Sequence, residues 1–186
     1  TIQAAKRAAD LTGQLLTFSK RGSPMKEKGD IGRLVRENAK FTLRGSNIKP
    51  DISIAEHISN VEFDETQITQ VLHNLFINAK QAMPDGGTVH IRCRNTEIPE
   101  KSELPLKSGK YVKIEISDQG QGIPKEIRER LFEPYVSTKE GGTGLGLASS
   151  FSIIKQHEGY LDFDSEEGKG TSFYIYLPAS DSKRIQ

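Results

Sequence analysis

"EGGTGLGLAS", residues 140–149, sets four glycines, Gly141, Gly142, Gly144 and Gly146, just where an apolar helical pattern begins. Glycine inside a helix costs about 0.5–1 kcal/mol relative to alanine. Either something approaches this backbone closely or the chain moves here. Downstream, "GLGLASSFSIIKQHEG" (144–159) has helical spacing and stops near Gly159. A helix that opens in glycines offers backbone N–H groups and its positive dipole end to an anion such as phosphate. The motif is not a Walker loop, because Lys139 precedes the glycines and the G-x-x-x-x-G-K-[ST] spacing is absent. Nor does "GTGLGL" fit G-x-G-x-x-G. If Gly144 and Gly146 have helical angles, alanine at both raises stability slightly.

Working outward, "PKEIRERLF" (124–132) reads as a short helix with Pro124 in its first turn, and 133–143 as irregular. "YLDFDSEEGKGTSFYIYLP" (160–178) reads as a hairpin. "DETQITQVLHNLFINAKQAM" (64–83) is a long helix whose apolar face is Ile68, Val71, Leu72, Leu75, Phe76 and Ala79. Asp64 caps it, and Gln67 stands where a capping box needs it. "DIGRLVRENAKFTLR" (30–44) is another helix, capped by Asp30, followed by a strand in "DISIAEHI" (51–58). "PDGG" (84–87) is a tight turn between that long helix and the strand "TVHIRCRN"; "YVKIEISD" is the next strand, and the polar 96–109 between them is a mobile loop. Helices and antiparallel-looking strands mix without βαβ alternation. The fold class is therefore α+β: a two-layer sandwich with a mixed, largely antiparallel sheet.

Residues 1–22 read as one long amphipathic helix, with Ala8, Leu11, Leu15 and Phe18 beside Ile2, Ala5, Ala9 and Leu16. So broad an apolar face calls for a bundle or a partner chain. Thr1 falls inside this pattern, so the chain is expected to be a piece of a longer protein, whose membrane segments, if any, lie outside it. Net charge is +1, which gives no pull toward nucleic acid or a membrane surface. The single cysteine, Cys93, excludes an internal disulfide and reads as a buried strand residue. No run approaches the roughly 18–20 apolar residues of a membrane span. The expected location is cytoplasmic.

Four pieces carry chemistry, in order. Asn74 and Asn78 lie four apart on one helix face; an amide oxygen suits a hard cation such as Mg²⁺, and alone either is as well read as a capping or surface residue. "DQGQG" (118–122) puts a carboxylate and two glycines after a strand, where Asp118 can accept from an exocyclic amine; alone it is also an ordinary turn. The third piece is "RLFEPYVSTKEGGTGLGLAS" and the fourth "GKGTSF" (168–173).

Together and in this order they resemble the N box, first glycine box, F box, second glycine box and closing GxGT of the bacterial sensor histidine kinases, within the superfamily of DNA gyrase, MutL and the large heat-shock chaperone ATPases. The resemblance covers about 30–178. It implies an ATP-binding catalytic domain over 30–180 with an ATP lid, and in 1–22 the second helix of a dimerisation and phosphotransfer hairpin. By this likeness Asp118 bonds the adenine amine, and Gly120, Gly122, Ile123 and Thr171 line the base and sugar. Asn78 is the Mg²⁺ ligand. Gly142, Thr143, Gly144, Leu145, Gly146 and Leu147 form the lid hinge and phosphate cradle. Lys139 reaches the terminal phosphate, and Phe132 and Tyr135 pack the lid down, Phe132 being equally readable as core. Asn74 stands where ATP-hydrolysing members carry a glutamate; an amide is no general base, so the resemblance implies transfer with little hydrolysis. Asn74 and Lys139 are the expected catalytic residues.

The family's acceptor histidine is followed by Glu or Asp and, five residues on, often by Pro; His57, His73 and His90 lack the acid, and His157 precedes Glu158 but has Asp162 five on and ends a helix. The resemblance places the acceptor upstream. It further implies ATP and Mg²⁺ as cofactors, a homodimer through the hairpin, and a response-regulator receiver domain as partner, with no nucleic acid and no membrane contact. An anti-sigma-factor-type serine kinase shares the nucleotide boxes, and a nucleotide-gated chaperone or mismatch-repair module is a third reading. The leading helix argues against the former, Asn74 against the latter.

Overall fold

A computed structural model describes residues 23–137 and 142–180. The expected leading helix over 1–22, Lys139 and the C-terminal tail lie outside these. A five-stranded sheet runs in the order β2-β4-β5-β7-β6, with β2 Ile48–Ile54, β4 Gly87–Ile98, β5 Gly109–Asp118, β6 Tyr160–Glu166 and β7 Gly170–Pro178. Only β2–β4 is parallel; the other three pairings are antiparallel. Helices α1 (Ile31–Leu43), α2 (Glu65–Ala82) and α4 (Gly146–Gln156) form the second layer, with α2 between the other two. The single turn α3 (Lys125–Arg128) follows Pro124.

The α2 face expected from periodicity is the centre of the core: Ile68, Val71, Leu72, Leu75 and Phe76 are fully buried. Each such side chain contributes about 1.5–3 kcal/mol of transfer free energy. They meet Ile91, Ile114, Ile116, Leu161 and Ile175 from the inward positions of the sheet. Cys93 is among these, and burial pushes its thiol up to about 12. It is a packing residue.

The helix caps form as the sequence dictates on one side only. Asp30 accepts from Arg33 N and Asp64 from Gln67 N. The return half of the capping box is missing: Gln67 Oε1 is buried without a partner, and Asp64 N donates instead to His157 Nε2 at 3.0 Å. His157, at the C-terminus of α4, also bonds Ile153 O through Nδ1 at 2.8 Å. Nε2 accepts, so Nδ1 carries the proton and the ring is neutral. Burial holds its pKa below the usual range.

Three further details depart from the sequence reading. Two strands of three residues, β1 (Glu27–Gly29) and β3 (Val61–Phe63), pair in a small antiparallel sheet. They are too short to show alternation. β2 lies at 48–54, not 51–58, because its register follows Gly87 in the neighbouring β4. Past Ile54 the chain is held as a loop by Asn95, which donates to His57 O (2.7 Å) and accepts from Ser59 N (2.9 Å). The segment between β4 and β5 is not wholly polar in role. β4 continues to Ile98, and Leu104 and Leu106 rest on Ile98, Tyr111 and Tyr176.

Candidate functional site

The end of β5 is built around one carboxylate. Asp118 is buried (9% exposed), and its Oδ1 accepts from Gly120 N at 2.9 Å and from Thr171 N, at the start of β7, at 3.3 Å. The carboxylate therefore holds two chain segments in place. A carboxylate offers about four acceptor sites, so one group can serve several donors at once. Thr171 Oγ1 meets Ser165 Oγ at 2.9 Å, and Ser165 Oγ accepts from Ile123 N at 2.9 Å. Asp118, Gly120, Ile123 and Thr171 thus converge, and Ser165 joins them. The sequence reading missed Ser165, which carries no motif of its own. Gly122 has φ +72°, and a Cβ there would strike Glu166 O. Its neighbour Gln121 accepts from Gly168 N in the β6–β7 turn. Packing of this loop against the hairpin, more than access for a flat ligand, accounts for glycine at 122.

α2 links this end to the glycine run. A Cβ on Gly120 would stand 2.5 Å from Ala82 O, in the last residue of α2. Two turns back, Asn74 Nδ2 donates to Gly146 O (3.1 Å) and to Ser150 Oγ (3.2 Å), in the first turns of α4. Asn78, half-buried, lies one turn from each on the same side of α2. Eight residues of helix span about 12 Å. One face of α2 therefore forms a floor from the Asp118 loop to the N-terminus of α4.

The glycines of the opening stretch divide by role. Gly144 has φ +65° and lies ahead of the helix; a Cβ would stand 2.5 Å from Tyr135 C and 2.6 Å from Val136 N. Its carbonyl accepts from Tyr135 N at 3.0 Å. Its angles are not helical, which overturns the expected stabilisation by alanine at this position. Gly146 is the first helical residue, and a Cβ there has only ordinary contact with Asn74, nearest at 3.6 Å. Leu145 is buried and caps α4 without a side-chain hydrogen bond, and Leu147 packs on the core. Their side chains serve packing, and any contact with an anion falls to the backbone. Gly142 and Thr143 are exposed just before them.

Phe132 stacks on Phe151 (centroids 4.9 Å) and meets Phe163 edge-on (5.6 Å), so it anchors the start of this segment to α4 and β6. Tyr135 is 75% exposed at φ +66°, and the lid residues 138–141 that it was expected to pack lie outside the described residues. Among the described residues there is no cluster of three His, Cys, Asp or Glu side chains able to hold a metal alone, and no helix long and apolar enough to cross a membrane.

The family profile described as histidine kinase-, DNA gyrase B- and HSP90-like ATPase matches residues 63–181. The chain belongs to that family. Sensor kinase CckA of Brucella abortus is 40% identical over 183 residues, covering 95% of this chain and 19% of that protein. The catalytic domain of histidine kinase ThkA superposes with a TM-score of 0.66 at 28% identity, over 83% of this chain and 97% of that one. Full-length ShkA in complex with AMPPNP gives a TM-score of 0.74 at 22% identity, over 95% of this chain and 36% of that one, a likeness of fold. The chain spans about a fifth of the length of the curated kinase it matches. It is an ATP-binding catalytic domain of the sensor histidine kinase type, and the α+β sandwich expected from sequence is that domain's fold.

Proposed function

We propose that this domain presents ATP for transfer of its γ-phosphoryl group to a histidine upstream of residue 1. That histidine lies on the first helix of a hairpin whose second helix is 1–22, within a homodimeric two-component kinase that feeds a receiver domain and works in the cytoplasm. The observation that carries the reading is the continuous floor along α2, with Asp118 at one end and the N-terminus of α4 at the other. In this reading Asp118 accepts from the adenine amine, and Gly120, Gly122, Ile123 and Thr171 shape the base end. Backbone N–H groups over Gly142–Leu147 receive the phosphates, favoured by the helix dipole, and Lys139 adds a mobile positive charge at the terminal phosphate.

A magnesium ion fits the donor set. Mg²⁺ takes most of its ligands from phosphates and water, and the half-buried Asn78 supplies a single neutral oxygen beside the Asn74–Gly146 contact. When bound it neutralises phosphate charge. The chain's own residues hold the two ends of the nucleotide and exclude a protein base: Asn74 cannot take a proton from water, so hydrolysis stays slow relative to transfer.

The test uses labelled ATP with Mg²⁺. The chain alone is expected to bind nucleotide without labelling itself, and a separate polypeptide carrying the complete hairpin is expected to acquire an acid-labile phosphate. Self-labelling of the chain, or steady hydrolysis that outruns transfer, refutes the proposal.

A further inference from the structure

α4 buries two hydroxyls against α2: Ser149 is 2% and Ser150 0% exposed. The Ser150 hydroxyl donates its single proton to Gly146 O, one turn back, at 2.8 Å. Toward Asn74 Nδ2, 3.2 Å away, it can therefore only accept. The other neighbour of the Asn74 carboxamide is Gly146 O at 3.1 Å, a carbonyl, which also only accepts. Two acceptors on one side of an amide settle which way round it sits. The NH₂ group is taken by Gly146 O and Ser150 Oγ, and Oδ1 bonds neither, standing 3.7 Å from where a Cβ on Gly146 would be, at the start of α4. Among the described residues no hydrogen bond reaches Oδ1. Asn78 stands one turn away on the same side of the helix.

We infer that Ser150 is a positioning residue that locks the Asn74 carboxamide so that an acceptor, not a donor, faces the phosphate end of the site. This inference rests on the proposed nucleotide reading. An oxygen there repels phosphate oxygens and attracts a cation or the waters of its hydration shell. Asn74 thus serves the metal side of a metal–nucleotide complex. Ser150 acts through it and touches no ligand.

The test has a spectroscopic and a binding arm. In ¹⁵N-labelled protein the Asn74 side-chain NH₂ signals, identified by their loss in Asn74→Ala, are expected to exchange slowly with water. In Ser150→Ala one of the two is expected to shift and exchange at least several-fold faster, with the backbone spectrum beyond α2 and α4 unchanged. Unaltered NH₂ signals in Ser150→Ala overturn the inference. In calorimetric titrations Ser150→Ala is expected to weaken ATP binding with Mg²⁺ by roughly fivefold, the worth of about one neutral hydrogen bond. Binding of ATP in excess EDTA is expected to stay as in wild type. Adding Ser150→Ala to Asn74→Ala is expected to have no further effect. Equal weakening with and without Mg²⁺, or additive effects in the double variant, means Ser150 only ties down α4, and the inference falls. Failure of the wild-type chain to bind ATP at all would refute the nucleotide reading, while the NH₂ signals would still decide the orientation.

Discussion

Alanine at Gly144 and at Gly146 is expected to change stability in opposite directions. At Gly144 the backbone is left-handed, φ +65°, which costs a side-chain-bearing residue about 1–2 kcal/mol. The added Cβ would also stand 2.5–2.7 Å from backbone atoms of Tyr135 and Val136, which cannot swing aside as a side chain would. Relief requires moving the two strands of the loop apart and stretching the Tyr135 N–Gly144 O bond of 3.0 Å, about another 1 kcal/mol. Together these give roughly 2–3 kcal/mol, limited at the top by the free energy of opening the segment locally. At about 2–4 °C per kcal/mol, the melting temperature should fall by roughly 4–12 °C. At Gly146 the residue is helical and the nearest atom to a Cβ is 3.6 Å away. Alanine should then add about 0.5–1 kcal/mol and raise the melting temperature by roughly 1–4 °C. That methyl points at the Asn74 carboxamide, so ATP binding should weaken several-fold although the fold is firmer. Thermal unfolding of both variants, followed by calorimetric titration with ATP, checks this. A Gly144→Ala protein that melts with or above wild type would refute the close-approach argument, and a Gly146→Ala protein with lowered stability would refute the helical one.

Asp118→Asn keeps an oxygen for Gly120 N and Thr171 N, so melting should change by no more than a few degrees, while ATP affinity falls roughly tenfold or more with loss of a charge-assisted hydrogen bond; unchanged affinity by calorimetry would remove Asp118 from the base end. Asp118→Ala, which strands both backbone donors, should melt clearly lower than Asp118→Asn, and equal melting would contradict the structural half of that assignment. His157 is neutral and its pKa lies below the ordinary 6.5, so folded protein binds fewer protons than unfolded protein as pH drops. Its contribution should be constant above about pH 6.5 and be lost as pH falls from there toward the folded value; denaturant unfolding of His157→Gln should lack that part of the acid slope, and an identical slope would clear His157 of the role. Amide exchange over 142–147 should slow on adding AMPPNP with Mg²⁺, and equal protection in both states would argue that the glycines serve packing alone.

The parts of the fold legible in the sequence are those fixed by local chemistry. Asp30 and Asp64 cap helices because their side chains reach N–H groups three residues on, and the α2 face follows from period alone. The β6–β7 hairpin follows from alternation around Gly168 and Gly170. What was not legible depended on partners far along the chain. β2 starts at Ile48 because β4 starts at Gly87, and it stops where Asn95 seizes the next loop. The Asp64–His157 bond replaces half a capping box across 93 residues. In the candidate site, the motifs pointed to Asp118, Asn74 and the glycines. They did not reveal that Gly122 and Gly144 answer to Glu166 and Tyr135, that Tyr135 would stand exposed, or that Ser165 and Ser150 would tie the pieces together. Those are facts of distance between segments, which no local pattern records.

The strand order leaves β2 and β6 at the two edges of the sheet. An open edge is a template for any extended chain, including the same edge on another copy. β2 reads "IKPDISI": Pro50 has no N–H to offer, and Lys49 and Asp51 put charge on either side of it. β6 reads "YLDFDSE", with Asp162, Asp164 and Glu166 crowding three carboxylates into seven residues, so a second β6 laid against it would meet like charge. Both borders are thus poor at joining sheet to sheet. The domain can be concentrated beside its own twin, in a cell or in a test tube, without the two zipping into a continuous ribbon, and any pairing between copies is left to surfaces other than these.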